Sequence, residues 1–312
     1  MLTANQILYN EQLNRLATID FLFMPDIFEH HFSVNDINKD ESNTTINLLF
    51  KSLSITETPL SKAQLKQAIS KGALWLTRGK HTQRLRRIKK TLQQGDELHL
   101  YYNTNVLNSK VAEAKLISDE TDYSLWYKPY GMLSQGSKWS DHCTISRFAQ
   151  LYFSPERPVF IVHRLDRAAT GLIIIAHNKK AARALSAMFE HHQLEKFYQI
   201  IVHGNHSTRP QPEIINSNID DKSARSTFTC LAYDKEKDQS LLEVKIDSGR
   251  KHQIRKHAAS IGLPVVGDRL HGIADNSEEK DLQLSAVKLS FTCPISQQVK
   301  LYELKNELKP QL

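Results

Sequence analysis

Residues 159–176 read VFIVHRLDRAATGLIIIA, two apolar runs joined by a short polar stretch. The runs at 159–162 and 172–176 have the length and composition of buried strands. One acidic residue, Asp166, lies between them, and it is surrounded by basic side chains. A carboxylate that is partly removed from water but flanked by cations stays ionised, which suits a nucleophile better than an acid. The basic neighbours are His163, Arg164 and Arg167.

The composition is that of a globular protein, and its modest positive charge fits a polyanionic partner without establishing one. The chain has 312 residues and a formal net charge of +7. We find no run of about 18 apolar residues and no secretory signal, so we expect a cytoplasmic protein without a membrane anchor. The three cysteines and the histidine pairs lack metal-ligand spacing, and no nucleotide-phosphate loop is present. We therefore expect no metal and no cofactor, and a monomer as the default state.

The chain divides into four predicted parts. Residues 1–56 are an extension of unknown role, 57–105 a small α/β module, 106–118 a connector and 119–312 the main domain. The module contains a helix with a glycine stop, a short strand and a Gly-Asp turn into another strand. Eight basic and no acidic residues occupy positions 71–90, which is an electrostatic footprint for phosphate. The candidate RNA contacts in this segment are Lys80, Arg84, Arg86, Arg87, Lys89 and Lys90.

The main domain is predicted to be α+β. Helical spacing covers residues 179–193, alternation predicts strands at 197–203, 227–232 and 242–246, and a second helix opens near residue 250. The polar stretch 205–223 is interpreted as a surface excursion. The pattern indicates a strand-rich domain with helices laid on a sheet.

Four stretches together resemble one family, the RNA pseudouridine synthases of the RluA type. They are KPYG at 128–131, HRLDR at 163–167, KFY at 196–198, and GRKHQIR at 249–255 followed by GLPVVGD at 262–268. The resemblance implies a central mixed or antiparallel sheet with flanking helices. The 57–105 module is, in the same way, similar to the ribosomal-protein-type RNA-binding domain called the alpha-L fold.

The resemblance also implies roles for particular residues. Asp166 would be the nucleophile, Arg164 would help to displace the target nucleotide, Tyr198 would pack on the uracil and Arg255 would pair with the aspartate. The implied enzyme is a cofactor-free isomerase that acts on rRNA or tRNA and flips a base. Further polar residues of the same motifs are predicted to bind the substrate: His163, Arg167, Lys128, Arg250, His252 and Gln253.

Two departures from the family pattern leave an alternative open. Ala168-Ala169 stands where Asp-Thr is usual, and Ser285 replaces a usual histidine. A protein that retains the scaffold but only binds or chaperones RNA is therefore the second hypothesis. A glycosidase would need a second carboxylate with a raised pKa, for which Asp247 and Asp268 are the candidates.

Overall fold

The computed structural model describes residues 26–35, 43–56, 60–272 and 280–312. Two compact units divide the chain. The N-terminal unit comprises Met1–Ser109 with the segment Ser137–His142, and the C-terminal unit comprises Lys110–Gly136 with Cys143–Leu312. Much of the predicted N-terminal extension, residues 1–25 and 36–42, lies outside the described residues.

The N-terminal unit is a four-stranded antiparallel sheet in the order β1-β4-β2-β3, covered by helices on one face. Its elements are β1 (Ile27–Ser33), α1 (Thr45–Leu53), α2 (Lys62–Ser70), β2 (Leu74–Arg78), β3 (His81–Arg84), β4 (Glu97–Asn103) and α3 (Thr104–Asn108).

The predicted boundary at residue 56 does not separate two structural units. Strand β1 pairs along its whole length with β4, and Leu49 and Leu53 of α1 lie in one apolar cluster with Leu65 and Leu74. The described part of the supposed extension thus completes the sheet and core of the following module. Sequence reasoning missed this because the polar residues around positions 35–43 resemble a linker.

The C-terminal unit is built on one ten-stranded sheet, and the predicted central mixed sheet is confirmed. Eight strands follow the order β10-β11-β12-β9-β13-β8-β6-β5, while β14 pairs with β13 and β7 with β8. Among the named strands of the described residues, the β13–β8 pairing alone is parallel. The strands are β5 (Lys115–Asp119), β6 (Tyr123–Lys128), β7 (Phe160–Ile161), β8 (Thr170–Ala176), β9 (Leu194–His203), β10 (Glu213–Ile219), β11 (Lys222–Asp234), β12 (Gln239–Ile246), β13 (Leu284–Thr292) and β14 (Val299–Glu303). The helices are α4 (Ile145–Tyr152), α5 (Lys179–Glu190) and α6 (Gln253–Ser260), with a final 3-10 turn at Asn306–Leu308.

Strand β8 is apolar from Gly171 to Ala176 because both faces of the sheet are covered there. Ile173 and Ile175 enter the cluster that includes Ile254 of α6, whereas Leu172 and Ile174 enter the cluster that includes Leu185 of α5. Successive side chains of a strand point to opposite faces, so a strand between two cores has no polar positions. This explains why the apolar run was readily identified from the sequence.

Gly171 allows β8 to lie against β13 directly after the Asp166 loop. It has φ +107°, and a Cβ atom there would lie 2.3 Å from the Ala286 carbonyl oxygen. Only glycine combines that backbone conformation with so close an approach. The loop between β7 and β8 is thereby fixed at its carboxyl end.

Two local predictions in this unit were wrong. The stretch 205–223 contains strand β10, whose mostly exposed side chains as a sheet edge left no apolar alternation to detect. The helix predicted to reach residue 193 ends at Glu190, because His192 adopts φ +55° and Gln193 N donates to Met188 O at 3.0 Å. Within the described residues, no helix is long and apolar enough to cross a membrane.

Candidate active site

Asp166 lies in a pocket at the middle of the large sheet. Its side chain is 32% exposed, and it lines both a small pocket of about 90 Å³ and an adjoining groove of about 700 Å³. Tyr198 of β9 and Arg250 line both cavities as well, and Arg255 of α6 lines the small one. The motif residues, which are distant in sequence, therefore meet around one accessible carboxylate.

Arg255 joins two carboxylates. Its Nε and Nη2 atoms donate to the two oxygens of Asp268 at 2.8 and 2.5 Å, and its Nη1 donates to Asp166 Oδ2 at 3.4 Å. Burial by itself would raise the pKa of Asp268, but the Arg255 hydrogen bonds and the backbone N–H groups of Leu270 and His271 outweigh it and hold that pKa below its usual value. Asp268 thus fixes the guanidinium so that one edge remains for Asp166.

An imidazole pair lies on another side of the nucleophile candidate. His252 Nε2 is 3.8 Å from Asp166 Oδ2, and His252 Nδ1 lies 2.8 Å from His271 Nε2. Burial lowers the pKa of both histidines, although the Asp166 charge opposes this at His252. His252 occupies the left-handed region at φ +56°, immediately before α6, which directs its ring towards the pocket.

Tyr198 supplies the aromatic wall of the pocket. Burial and the nearby Asp166 charge raise the pKa of its phenol, so the ring is uncharged at neutral pH. It lies on β9, the strand hydrogen-bonded between β12 and β13, and this places it in the middle of the sheet. An aromatic on a central strand is a rigid platform for a base.

The loop that carries Asp166 is held by hydrogen bonds on both sides. Ser134 Oγ donates to Leu165 O at 2.8 Å and accepts from Leu165 N at 3.0 Å. Ala169 N donates to Asp166 O at 3.2 Å and closes a turn. Lys128 Nζ donates to Met132 O at 2.8 Å, to Pro129 O at 3.2 Å and to Arg167 O at 3.4 Å. The carboxylate is therefore preorganised by its backbone.

Lys128 was predicted to bind substrate, and the structure corrects this. Its side chain is fully buried and its ammonium is occupied by the three carbonyls. Burial lowers the pKa of Lys128 to about 7, although the Asp166 charge opposes the shift. The residue ties the KPYG turn to the Asp166 loop.

This burial gives a testable pH dependence. Between pH 7 and 10 the unfolded chain holds the Lys128 proton and the folded chain releases it, so folding should become more favourable as pH rises. We expect the free energy of unfolding of the wild type to gain roughly 2–4 kcal/mol over this window relative to Lys128→Met. Urea titrations at pH 7, 8.5 and 10 measure the difference, with Lys115→Met as the control for loss of an exposed charge. A difference that does not change with pH would contradict the assignment.

His163 lines the groove and Gln253 lines the small pocket, but each also makes hydrogen bonds within the protein. His163 Nε2 accepts from Ile174 N at 2.9 Å, its ring stacks on Phe189 at 4.1 Å, and burial lowers its pKa to about 3. The Gln253 amide accepts from Ser248 Oγ and Arg250 N and donates to Arg225 O and Ser226 Oγ. These bonds use all the donors and acceptors of an amide. Both residues position loops.

The other predicted substrate contacts are distributed unequally. Arg164 is exposed and lines the pocket and the groove, as does the partly buried Arg250. His252 lines the pocket. Arg167 is exposed but is not among the residues that line either cavity.

Two cations of the predicted RNA-binding segment make internal contacts within the N-terminal unit. The Arg86 guanidinium pairs with Asp141, and Arg84 Nη2 donates to Ser137 O at 2.7 Å while its guanidinium lies over the Trp75 ring at 4.3 Å. Arg84 and Arg86 are accordingly less available to phosphate than their sequence position indicates. Of the remaining predicted contacts, Lys80, Arg87 and Lys89 are exposed and Lys90 is partly buried.

The departures from the family pattern are accommodated by packing. Ala169 is 2% exposed and lies in the apolar cluster with Leu165, and Ala168 packs against it. Ser285 pairs with Thr170 between β13 and β8, and its buried Oγ has no hydrogen-bond partner among the described residues. None of these positions displaces Asp166 from the pocket.

Sequence reasoning missed two groups of the site. Asp268 ends the quoted GLPVVGD stretch but was considered only as a possible acid, and its role as partner of Arg255 needed tertiary coordinates. His271 follows three residues later in a stretch with no periodic signal. The Gly267-Asp268 pair that closes the last motif was the signal that could have found them.

Known structures define the class to which this fold belongs. The chain is similar to human RNA Pseudouridylate Synthase Domain Containing 1, with a TM-score of 0.54 and 18% identity over 64% of this chain and 85% of that one. At this identity the likeness shows the fold alone, which is that of the pseudouridine synthases.

Sequence comparisons identify the family. The model described as RNA pseudouridylate synthase matches residues 122–260. A tRNA pseudouridine synthase C from Vibrio cholerae is 32% identical over 200 residues, covering 55% of this chain and 82% of that protein. A protein named uncharacterized RNA pseudouridine synthase from Aquifex aeolicus is 28% identical over 277 residues, covering 78% and 85%. The chain belongs to the RNA pseudouridine synthase family, and it is an isomerase that converts uridine to pseudouridine in RNA.

Proposed function

We propose that this protein isomerises a specific uridine of tRNA or rRNA, with Asp166 as the nucleophile acting on a nucleotide flipped into the pocket. The observation that carries the proposal is the exposure of the Asp166 carboxylate in a pocket beside Arg255 Nη1 at 3.4 Å. An accessible, ion-paired carboxylate can attack a carbon centre.

The reaction needs no oxidant and no transferred phosphate. In the proposed sequence an Asp166 oxygen bonds to C1′ of the target ribose as the electron pair of the C1′–N1 bond leaves with uracil. The base then turns, and C5 bonds to C1′ and displaces the carboxylate. One proton is lost from C5 and one is gained at N1, so atoms and charge balance. Arg255, held by Asp268, stabilises the carboxylate whenever it is free.

The concave shape of the site supports base flipping. Asp166 lines the pocket and the groove rather than a flat surface, so we infer that a uridine stacked in RNA leaves its neighbours to reach it. Unstacking costs a few kcal/mol, which a stacked aromatic and a cation can offset. Tyr198 offers the ring and Arg164 the exposed guanidinium at the groove.

Transfer RNA is the first substrate to test. Relatives from Vibrio cholerae and Pectobacterium carotovorum carry the name tRNA pseudouridine synthase C, the latter 30% identical over 45% of both chains. The exposed cations Lys80, Arg87 and Lys89 of the N-terminal unit remain predicted contacts to the RNA backbone.

The two competing hypotheses find less support. A glycosidase acid must hold a proton at neutral pH, but the pKa of Asp268 is lowered and Asp247 lies 3.5 Å from Arg225 outside the pocket. A binding-only protein would not need a preorganised, exposed carboxylate beside an aromatic wall. Each of the two hypotheses predicts a different outcome of mapping pseudouridine in RNA.

The direct test maps pseudouridine in RNA. Purified protein is incubated with total RNA from a host that lacks the gene, and pseudouridine is located at nucleotide resolution in tRNA and rRNA. We expect one or a few new positions that approach full conversion, because a fixed groove selects the context of the flipped nucleotide. RNA binding without any new pseudouridine would favour the binding-only hypothesis, and release of free uracil would favour the glycosidase.

A further inference from the structure

Two buried lysines of the C-terminal unit differ in what surrounds their ammonium groups. Lys128 is saturated by three carbonyls. Lys196 is only 6% exposed, yet within the described ranges its ammonium makes a single hydrogen bond, 3.4 Å to Ser248 O, and pairs with no carboxylate. An ammonium has three donors and is costly to bury unpaired. Lys196 therefore keeps unused capacity to bind an anion.

Lys196 lies where its ammonium could contact the substrate. It lies two residues before Tyr198 on β9, so the two side chains share one face of the sheet about 7 Å apart along the strand. Both line the groove that opens onto Asp166. This distance is within the reach of a single nucleotide, so a nucleotide packed on Tyr198 would have its backbone close to Lys196.

The surroundings of Lys196 favour an anion. His192, Arg250 and Lys251 line the same groove, which among its lining residues has Glu190 and Asp166 as acids. Gly249 leaves the approach open, since a Cβ atom there would lie 3.9 Å from Lys196 Nζ. Burial lowers the pKa of Lys196, the Asp247 charge opposes this and the Arg250 charge adds to it. A bound phosphate would restore the full charge of the ammonium.

We propose that Lys196, with Arg250 beside it, is a binding site for one phosphate of the RNA backbone, directly adjacent to the flipped nucleotide. The inference deepens the proposed function, on which it rests, because it names the group that seats the RNA strand when the base enters the pocket. It also assigns to the KFY motif a task separate from that of Tyr198.

The test is a double-substitution cycle measured by binding. The probe is a seven-nucleotide RNA with one central uridine, and the protein carries Asp166→Asn so that the probe is not converted. We expect Lys196→Met to weaken binding roughly tenfold and to lower the slope of log affinity against log salt by about 0.7. The second change is in the RNA, where a neutral methylphosphonate replaces one of the two phosphates that flank the uridine. This RNA should bind roughly tenfold more weakly to the protein that retains Lys196. It should bind less than about twofold more weakly to the Lys196→Met protein.

Controls separate the site from a structural effect. Lys245→Met removes a lysine on the opposite face, where it pairs with Glu195 at 2.5 Å, and should leave the slope unchanged. Lys196→Arg should retain most of the affinity, and melting curves check that each variant folds. Additive losses from the protein and RNA changes would overturn the phosphate site even if pseudouridine is formed. A coupled loss in a protein that forms no pseudouridine would instead leave the site standing and sink the proposed reaction.

Discussion

Asp166→Asn is expected to lower the rate of pseudouridine formation by about 10³-fold or more while RNA affinity changes by less than about threefold. The amide has the shape of the carboxylate but cannot attack C1′. Arg255 keeps its two hydrogen bonds to Asp268 in the variant, so the pocket should remain formed. Single-turnover assays and equilibrium binding on the RNA identified by mapping measure the two quantities separately.

Asp247→Asn is the matched control for this variant. Asp247 is an exposed acid at the end of β12, outside the residues that line the pocket. We expect this variant to react at close to the wild-type rate. If Asp166→Asn proves as active as the wild type, the nucleophile lies elsewhere and the proposed chemistry is wrong.

Arg255 substitutions should separate catalysis from folding. Arg255→Met leaves the Asp268 carboxylate buried without its cation, which typically costs 3–5 kcal/mol of the free energy of unfolding, so we expect about that loss. Arg255→Lys keeps a charge for Asp268 but cannot contact both carboxylates, and its turnover should fall by roughly a hundredfold with a smaller loss of stability. Urea titration and single-turnover rates provide the two readouts.

The adjacent residue of the same helix provides the comparison. Lys256 pairs with Asp220 at 3.1 Å, where the Asp220 side chain is 66% exposed. Lys256→Met should therefore change the free energy of unfolding by less than about 1 kcal/mol. A similar small effect from Arg255→Met would show that the bridge between the two carboxylates is not needed for the fold.

The parts of the site that follow local rules could be predicted. The apolar runs around Asp166 became β7 and β8, and the alternation at 197–203 became the greater part of β9 with Tyr198 on the pocket face. These predictions succeed because strand periodicity and burial can be recognised from consecutive residues alone. The meeting of the motifs at one pocket came from the family resemblance, not from periodicity.

The roles that sequence reasoning did not reach depend on partners distant in the chain. Lys128, His163 and Gln253 are polar residues within functional motifs, and only their tertiary neighbours reveal that their hydrogen bonds are used internally. Asp268 was missed for the same reason, because its bond to Arg255 spans 13 residues and a turn. The edge strand β10 was not predicted because its side chains face solvent at most positions.

The burial of Lys128 provides a way to measure local opening of the protein. Acylating reagents modify amines only where the nitrogen is accessible, and this nitrogen lies under packed residues with three carbonyls around it. Exposed lysines on the same chain will be consumed first. The slow appearance of label on Lys128, followed by mass spectrometry, would therefore report the rate at which the Asp166 loop opens.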